Sequence, residues 1–126
     1  MTHLMHAGLT VCKSDIQNFY IDILGFEPEK NFQLNAGLTE SIFHIKDSPE
    51  VYHIYKDEVA LELFVIPKFM QNNFFQHLCL KMDNCEAIYE KALENNYWVL
   101  RRTNSQNKTT YFLRDNMNNL FELKDN

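Results

Sequence analysis

The stretch Leu4-Met-His-Ala-Gly-Leu-Thr-Val11 alternates like a strand, and Phe75-Gln-His-Leu-Cys-Leu-Lys-Met82 repeats its pattern in the second half of the chain. Each stretch carries one histidine near its start, His6 in the first and His77 in the second. Because successive side chains of a strand point to opposite faces, each histidine lies on the smaller and more polar face. The repeat predicts a duplicated unit with one imidazole on the first strand of each copy.

Each half also closes on a strand that carries one carboxylate. Glu62 lies in Val59-Ala-Leu-Glu-Leu-Phe-Val65, and Glu122 lies in Asn119-Leu-Phe-Glu-Leu-Lys124. A single glutamate of this kind is usually just solvated, since antiparallel sheets often keep one face wet. The symmetry of the two halves instead favours a shared role. The candidate ligands of one divalent metal ion are His6, Glu62, His77 and Glu122. Three other histidines lack such counterparts and are assigned no ligand role: His3, His44 and His53.

The residues after the first strand of each half predict a helix. Ser14-Asp-Ile-Gln17 has the composition of a capping box, and apolar residues then recur at helical spacing up to Gly25, which predicts a helix over 14–24. Asp83 and Glu86 have the same capping-box spacing and predict the start of a second helix.

Turn residues divide the rest of each half into short strands. The predicted strands lie at 32–34, 40–45 and 51–65, the last with a turn at 56–58, and then at 97–100, 109–113 and 120–123. Each half therefore reads as a strand, a helix and two or three strands, which is an α+β pattern. We predict a single domain over 1–126, with modules at about 1–66 and 74–126 and a linker at 67–73.

Composition limits the classes of function. With 126 residues, of which 45% are hydrophobic and 23% charged, the chain has about the length of one globular domain. A net charge of -5 argues against a nucleic-acid surface, which needs a dense cationic face. The sequence shows neither a secretory segment nor an apolar run of the roughly 20 residues that a membrane span needs. Its three cysteines show no C-x-x-C spacing, so we expect reduced thiols and a cytoplasmic location.

Several of these segments together resemble the vicinal oxygen chelate superfamily, which includes glyoxalase I, fosfomycin-resistance proteins, extradiol dioxygenases and bleomycin-resistance proteins. The segments are Phe19-Tyr-Ile-Asp-Ile-Leu-Gly-Phe26, Ala60-Leu-Glu-Leu63, Gln76-His-Leu-Cys-Leu80, and Tyr111-Phe-Leu-Arg-Asp115 followed by Leu120-Phe-Glu-Leu123. The resemblance implies two βαβββ modules whose curved mixed sheet forms a cup, with helices on its outer face. It also implies a homodimer.

The resemblance is closest to the glyoxalase arm of the superfamily. Glyoxalase I binds its metal through His, Glu, His and Glu in that chain order, which resembles His6, Glu62, His77 and Glu122 here. Other arms typically keep only three of these positions and lack the equivalent of Glu62. The arginine and asparagine with which glyoxalase I grips glutathione have no equivalents here. Anion contacts would then fall to Lys81, Arg101, Arg102 or Arg114.

The donor set predicts the chemistry of the site. Two imidazoles and two carboxylates suit Ni, Zn, Co or Mn and bring the ion close to neutrality. Such an ion is a Lewis acid that stabilises an enediolate, so a proton next to a carbonyl becomes easier to remove. The resemblance favours Glu122 as the base, with Glu62 as its partner. The predicted function is a glyoxalase-type metal-dependent lyase or isomerase that acts on a small α-oxo compound or its thiol adduct.

A second function stays open on the sequence alone. Aromatic residues make up 13% of the chain, and a metal-free protein similar to bleomycin-resistance proteins would use some of them to sequester an apolar ligand. The aromatic residues proposed for that role are Phe43, Phe64, Trp98 and Tyr111. In both interpretations the partner is a small molecule.

Overall fold

The computed structural model describes residues 1–68 and 75–126. The chain divides into two compact units, Met1–Lys68 and Phe69–Asn126. Each unit holds one four-stranded mixed sheet, and the described residues include three helices. The predicted α+β class with two βαβββ modules is confirmed. Most of the predicted linker at 67–73 lies outside the described residues.

Unit 1 contains four strands and two helical segments. The strands are β1 (Ala7–Val11), β2 (Glu27–Gln33), β3 (Glu50–Lys56) and β4 (Val59–Val65), in the spatial order β1-β4-β3-β2. Helix α1 begins at Lys13–Asp15 and continues as a π-helix over Ile16–Ile21, and helix α2 covers Ala36–Phe43. β1 pairs with β4 in parallel, and the other pairs are antiparallel.

Unit 2 repeats this topology with one helix. Its strands are β5 (His77–Met82), β6 (Trp98–Thr103), β7 (Thr109–Arg114) and β8 (Leu120–Asp125), in the order β5-β8-β7-β6. Helix α3 covers Cys85–Glu94. β5 pairs with β8 in parallel, as β1 does with β4 in unit 1. None of the helices in the described ranges is long and apolar enough to cross a bilayer.

The predicted start of α1 is wrong and its helical part ends at Ile21, before the predicted end at 24, whereas Gly25 does adopt the predicted left-handed conformation. Cys12 is the N-cap residue and Ser14 lies inside the helix, so no side chain caps this end. The following turns are wide, because the Asp22 amide donates to the Gln17 carbonyl five residues back. Gly25 ends the segment with a φ of +80°, a conformation that glycine adopts at little cost.

The predicted strand at 40–45 is wrong, because most of it belongs to α2. Asn35 caps this helix, and its side-chain oxygen accepts from the Leu38 amide at 3.1 Å. The buried Thr39 hydroxyl donates to the Asn35 carbonyl at 3.0 Å. His44 then ends the helix in the left-handed region. Local capping outweighs the strand-like run of β-branched and aromatic residues in this segment.

The start of α3 also differs from its predicted cap. Asn84, rather than Asp83, is the N-cap residue, and its own side chain makes no capping bond. The Asp125 carboxylate instead accepts from the Cys85 amide at 3.3 Å. A residue from the end of β8 therefore stabilises the helix start, which local spacing alone does not reveal.

The buried face of each sheet is the one that the alternation predicts. Leu61 and Leu63 are buried on either side of Glu62, and Phe121 and Leu123 are buried on either side of Glu122. The two glutamates are 17% and 19% exposed. Both therefore lie on the face opposite to the core, where polar side chains have room.

Replacing Asn35 with alanine is predicted to lower the free energy of unfolding by about 1 kcal/mol, because the Leu38 amide loses its acceptor. Urea unfolding followed by circular dichroism measures the change. Glu40→Ala is the matched control, since Glu40 is exposed in the same helix and is not its cap. Equal losses in both variants would contradict the capping role of Asn35.

Candidate metal centre

The register of the parallel strands positions the first predicted pair of ligands. β1 and β4 place Gly8 opposite Glu62, and His6 lies two residues before Gly8. The Nε2 atom of His6 is 2.6 Å from the Oε1 atom of Glu62. His6 and Glu62, far apart in sequence, thus meet on one face of the sheet of unit 1.

Unit 2 forms the corresponding pair in the same way. β5 and β8 place Cys79 opposite Glu122, and His77 lies two residues before Cys79. The Nε2 atom of His77 is 3.3 Å from the Oε1 atom of Glu122. The four predicted ligands are therefore present as two equivalent histidine–glutamate pairs, one in each unit.

A third histidine, His53, contacts the pair in unit 1, although the sequence analysis assigned it no ligand role. His53 lies opposite Glu62 in the β3–β4 hairpin, and its Nε2 atom is 2.5 Å from the Oε2 atom of Glu62. The sequence did contain a signal for this contact. The two-residue turn pairs Lys56 with Val59, and counting three residues outward on both strands pairs His53 with Glu62.

The two units differ at this position. Phe112 lies opposite Glu122, where unit 1 has His53 opposite Glu62. Glu62 is therefore contacted by two imidazoles. Glu122 is contacted by one imidazole and by Lys124, whose Nζ atom is 3.6 Å from its Oε2 atom.

The hydrogen bonding of His77 leaves its Nε2 atom facing a carboxylate oxygen of Glu122, and both of these atoms are acceptors. The Nδ1 atom of His77 is 2.8 Å from the Phe75 carbonyl oxygen, so Nδ1 carries the hydrogen and donates it. In the neutral ring, Nε2 then holds a lone pair that faces a carboxylate oxygen of Glu122. Two such atoms need a proton or a cation between them. Metal-binding histidines commonly donate their second ring N–H to a carbonyl in this way.

The contact between His53 and Glu62 is close but is not a hydrogen bond. The Nε2 atom of His53 is shielded from solvent and has no hydrogen-bonding partner, although the Glu62 carboxylate lies at 2.5 Å. Leaving a buried polar group unpaired costs about 1–3 kcal/mol. A cation bound by both side chains would remove this penalty.

The distances between these donor atoms can be compared with the distances between the ligand atoms of a bound metal ion. Within 1–68 and 75–126, no three or more His, Cys, Asp or Glu side chains are arranged to hold a metal ion. Two ligand atoms that each lie about 2.1 Å from a metal ion are about 3.0 Å apart when the angle at the ion is a right angle. They are about 3.4 Å apart in tetrahedral coordination. The contacts of Glu62 at 2.5 and 2.6 Å are shorter. The nitrogen and oxygen donors suit a divalent ion, provided that the Glu62 side chain moves back by about 0.5 Å.

Cys79 lies beside this site, where its surroundings disfavour the thiolate form. Partial desolvation raises the pKa of its thiol, and the charge of the neighbouring Glu122 carboxylate raises it further. A metal-binding cysteine must be a thiolate. Cys79 is therefore a neutral neighbour of Glu122, in line with the nitrogen and oxygen donor set.

The cations proposed for anion binding are partly engaged elsewhere. Arg101 pairs with Glu86 of α3 and lies 4.8 Å from the centre of the Tyr89 ring, so it belongs to the helix side of the sheet. The guanidinium group of Arg114 stacks over the Trp98 ring at 5.1 Å and donates to the Asn118 carbonyl.

An apolar cavity of about 230 Å³ lies within unit 1, between α2 and the β1–β4 pair. Two of the aromatic residues proposed for ligand binding, Phe43 and Phe64, line it, and their ring centres are 5.2 Å apart. Tyr111, also proposed for that role, is instead buried and packs against Tyr89 of α3. Its environment is that of a core residue.

Comparison with solved structures gives matches over nearly the whole chain. A glyoxalase family protein from Enterococcus faecalis is 18% identical, with a TM-score of 0.69 and 98% of each chain covered. The fosfomycin resistance protein FosX from Listeria monocytogenes is 14% identical, with a TM-score of 0.74, covering 100% of this chain and 94% of that one. A mutant of FosX complexed with Mn(II) and a dihydroxypropylphosphonic acid is 15% identical, with a TM-score of 0.73 and coverages of 98% and 90%.

No protein-family model matches the sequence, and no curated protein matches it. The structural likeness nevertheless extends over both units of the chain. The chain therefore shares the fold of these glyoxalase family and fosfomycin resistance proteins, as the sequence predicts.

Replacing His53 with phenylalanine, the residue found at the equivalent place in unit 2, is predicted to leave the metal-free protein at least as stable as the wild type. The substitution removes a buried nitrogen that lacks a hydrogen bond. Urea unfolding in the presence of a chelator measures the effect. The mirror variant Phe112→His is the control and is expected to lose stability. A marked loss in His53→Phe would show that His53 and Glu62 stabilise each other without a metal.

Proposed function

We propose that this chain, which has the fold of the vicinal oxygen chelate superfamily, is a glyoxalase-type metal-dependent lyase or isomerase. Its substrate is a small α-oxo compound or the adduct of such a compound with a thiol. The observation that carries the proposal is the repeated histidine–glutamate pair, His6 with Glu62 and His77 with Glu122. In each unit the pair lies on the face opposite to the core, as a substrate site requires.

We propose that these four residues hold one divalent ion, Ni, Zn, Co or Mn. A FosX structure complexed with Mn(II) supports a divalent ion in this fold. When bound, the ion supplies Lewis acidity that stabilises negative charge on the substrate's oxygens. His53 lies against the second oxygen of the Glu62 carboxylate, and we propose that it positions that carboxylate.

Glu122 acts as the base in this proposal. Its carboxylate takes a proton from the carbon next to the carbonyl group and returns it to the former carbonyl carbon. The reaction is an isomerisation with no net change in oxidation state and needs no further reactant. Glu62 assists as the second carboxylate. Glu122 has one imidazole and the Lys124 ammonium group as neighbours, where Glu62 has two imidazoles.

Assembly and location complete the proposal. We propose a homodimer, following the superfamily resemblance. We also propose a cytoplasmic location, because Cys12, Cys79 and Cys85 are all free thiols, as expected in a reducing compartment.

A metal-free binding protein is the second candidate, and the cavity lined by Phe43 and Phe64 favours it. An apolar cavity with a few polar groups is the usual form of a small-molecule site. The two candidates differ in their need for a metal ion. Metal analysis and a turnover assay therefore discriminate between them.

The first test counts metal ions. If the two pairs share one ion, the purified protein binds one ion per chain, and His6→Ala or His77→Ala each abolishes tight binding. If each pair binds its own ion, each variant lowers the number from two to one, which would contradict the shared site. Titration of the chelator-treated protein with Ni, Co, Zn and Mn, read by metal analysis, measures the number. His3→Ala is the control, since His3 is exposed and belongs to neither pair.

The second test concerns Glu122. Glu122→Gln keeps the shape of the side chain but removes its basicity, so kcat is expected to fall about 10²-fold or more while the fold persists. The assay follows the adduct of methylglyoxal with a thiol, and circular dichroism checks the fold. Glu58→Gln, in the exposed β3–β4 turn, is the control. Unchanged turnover in Glu122→Gln would contradict its role as the base. If the wild-type protein shows neither metal binding nor turnover, the metal-free binding protein is the candidate that remains.

A further inference from the structure

The cavity of unit 1 lies beside the His6–Glu62 pair on the same face of the sheet. β1 and β4 place Gly8 opposite Glu62 and Thr10 opposite Phe64. Residues two apart in a strand share a face, so Phe64 projects on the side of Glu62. Gly8, Thr10 and Phe64 all line the cavity. The cavity therefore begins about 7 Å along the strand from the glutamate, the length of two strand residues.

The cavity is open because Gly8 has no side chain, and the rings of Phe43 and Phe64 form two of its walls. A Cβ atom at Gly8 would lie 3.4 Å from the Phe64 ring, so a branched side chain there would occupy the cavity. The Phe43 ring, at the end of α2, meets the Phe64 ring at an interplanar angle of 63°. The result is a corner of two aromatic surfaces that suits a flat or branched hydrocarbon group.

The lining is hydrocarbon and carries no positive charge. Leu34, Ile45 and Ile66 complete the apolar wall, and none of the described lining residues is lysine or arginine. The one charged residue of the lining, Asp47, is acidic. An anionic group such as a phosphonate or carboxylate is therefore disfavoured here, whereas an uncharged hydrocarbon group is favoured.

The volume of the cavity indicates the size of the group. A cavity of about 150 Å³ lined by Leu, Ile and Phe holds a benzene ring. The present cavity, at about 230 Å³, has room for such a ring and a short extension. A methyl group would leave most of it unfilled. Phe43 and Ile45 are 45% and 56% exposed, and a bound hydrocarbon group would cover part of this surface.

We infer that this cavity is the side-chain pocket of the substrate site, and that it selects α-oxo compounds with an aryl or branched hydrocarbon group over those with a methyl group. The part of the inference that concerns turnover rests on the proposed function. The part that concerns binding of a hydrocarbon group rests on the cavity alone. It names the substrate class that the histidine–glutamate pairs leave open.

The first experiment compares kcat/KM for the thiol adducts of phenylglyoxal and methylglyoxal on the metal-loaded protein. The wild type is expected to prefer the phenyl compound by at least about 10-fold, since burying a larger apolar group adds to transition-state binding. In Gly8→Val this ratio should fall to near one, because valine fills the cavity. Ala87→Val, on the exposed side of α3, is the control and keeps the ratio. Turnover without a phenyl preference would overturn the inference while leaving the proposed function standing.

The second experiment needs no metal and no turnover. Acetophenone and acetone are titrated into the chelator-treated protein while the methyl resonances of Ile45 and Ile66 are followed by NMR. Saturable shifts with acetophenone alone, lost in Gly8→Val, are expected. This result without metal-dependent turnover would sustain the pocket and contradict the enzyme. Equal responses to both ketones, or shifts remote from these two residues, would overturn the pocket. Circular dichroism and thermal unfolding confirm that Gly8→Val is folded.

Discussion

The parallel pairing of the first and last strands in each unit is the constraint on which the rest of the structure depends. It places Gly8 opposite Glu62 in one unit and Cys79 opposite Glu122 in the other, so that a histidine two residues earlier reaches each carboxylate. A shift of one residue in β4 or β8 would turn the glutamate toward the core. The burial of the apolar neighbours of each glutamate prevents that shift, and hydrophobic packing thereby fixes the polar geometry.

The sequence predicts those features that local periodicity controls. Strand alternation is enough to assign the core face and the face on which Glu62 and Glu122 lie, because it depends only on neighbouring residues. The predicted N-caps of α1 and α3 are wrong because other residues occupy those positions. At α3 the Cys85 amide donates to Asp125, which is remote in sequence. Helix α2 was missed because its strand-like residues conceal the cap at Asn35. The repeat gives no signal for His53, because Phe112 stands at the equivalent position of the second unit.

The two units share a topology but differ in the surroundings of their carboxylates. Glu62 is contacted by His6 and His53, whereas Glu122 is contacted by His77 and Lys124. The proposed function gives these two carboxylates different roles, Glu62 that of a ligand and Glu122 that of the base. The difference between His53 and Phe112 at one equivalent position thus accounts for part of the different surroundings of the two glutamates.

The proposed ligands and the proposed side-chain pocket of unit 1 depend on different parts of that unit. The histidine–glutamate contacts require only the register of β1, β3 and β4. The wall of the cavity comes in part from α2 and the segment after it, which contribute Phe43 and Ile45. The segment between β2 and β3 is therefore free to change in length or composition without moving Glu62. Structures that share this fold are only 18% and 14% identical to the chain. Such divergence agrees with a fold that requires the strand register but no particular cavity wall.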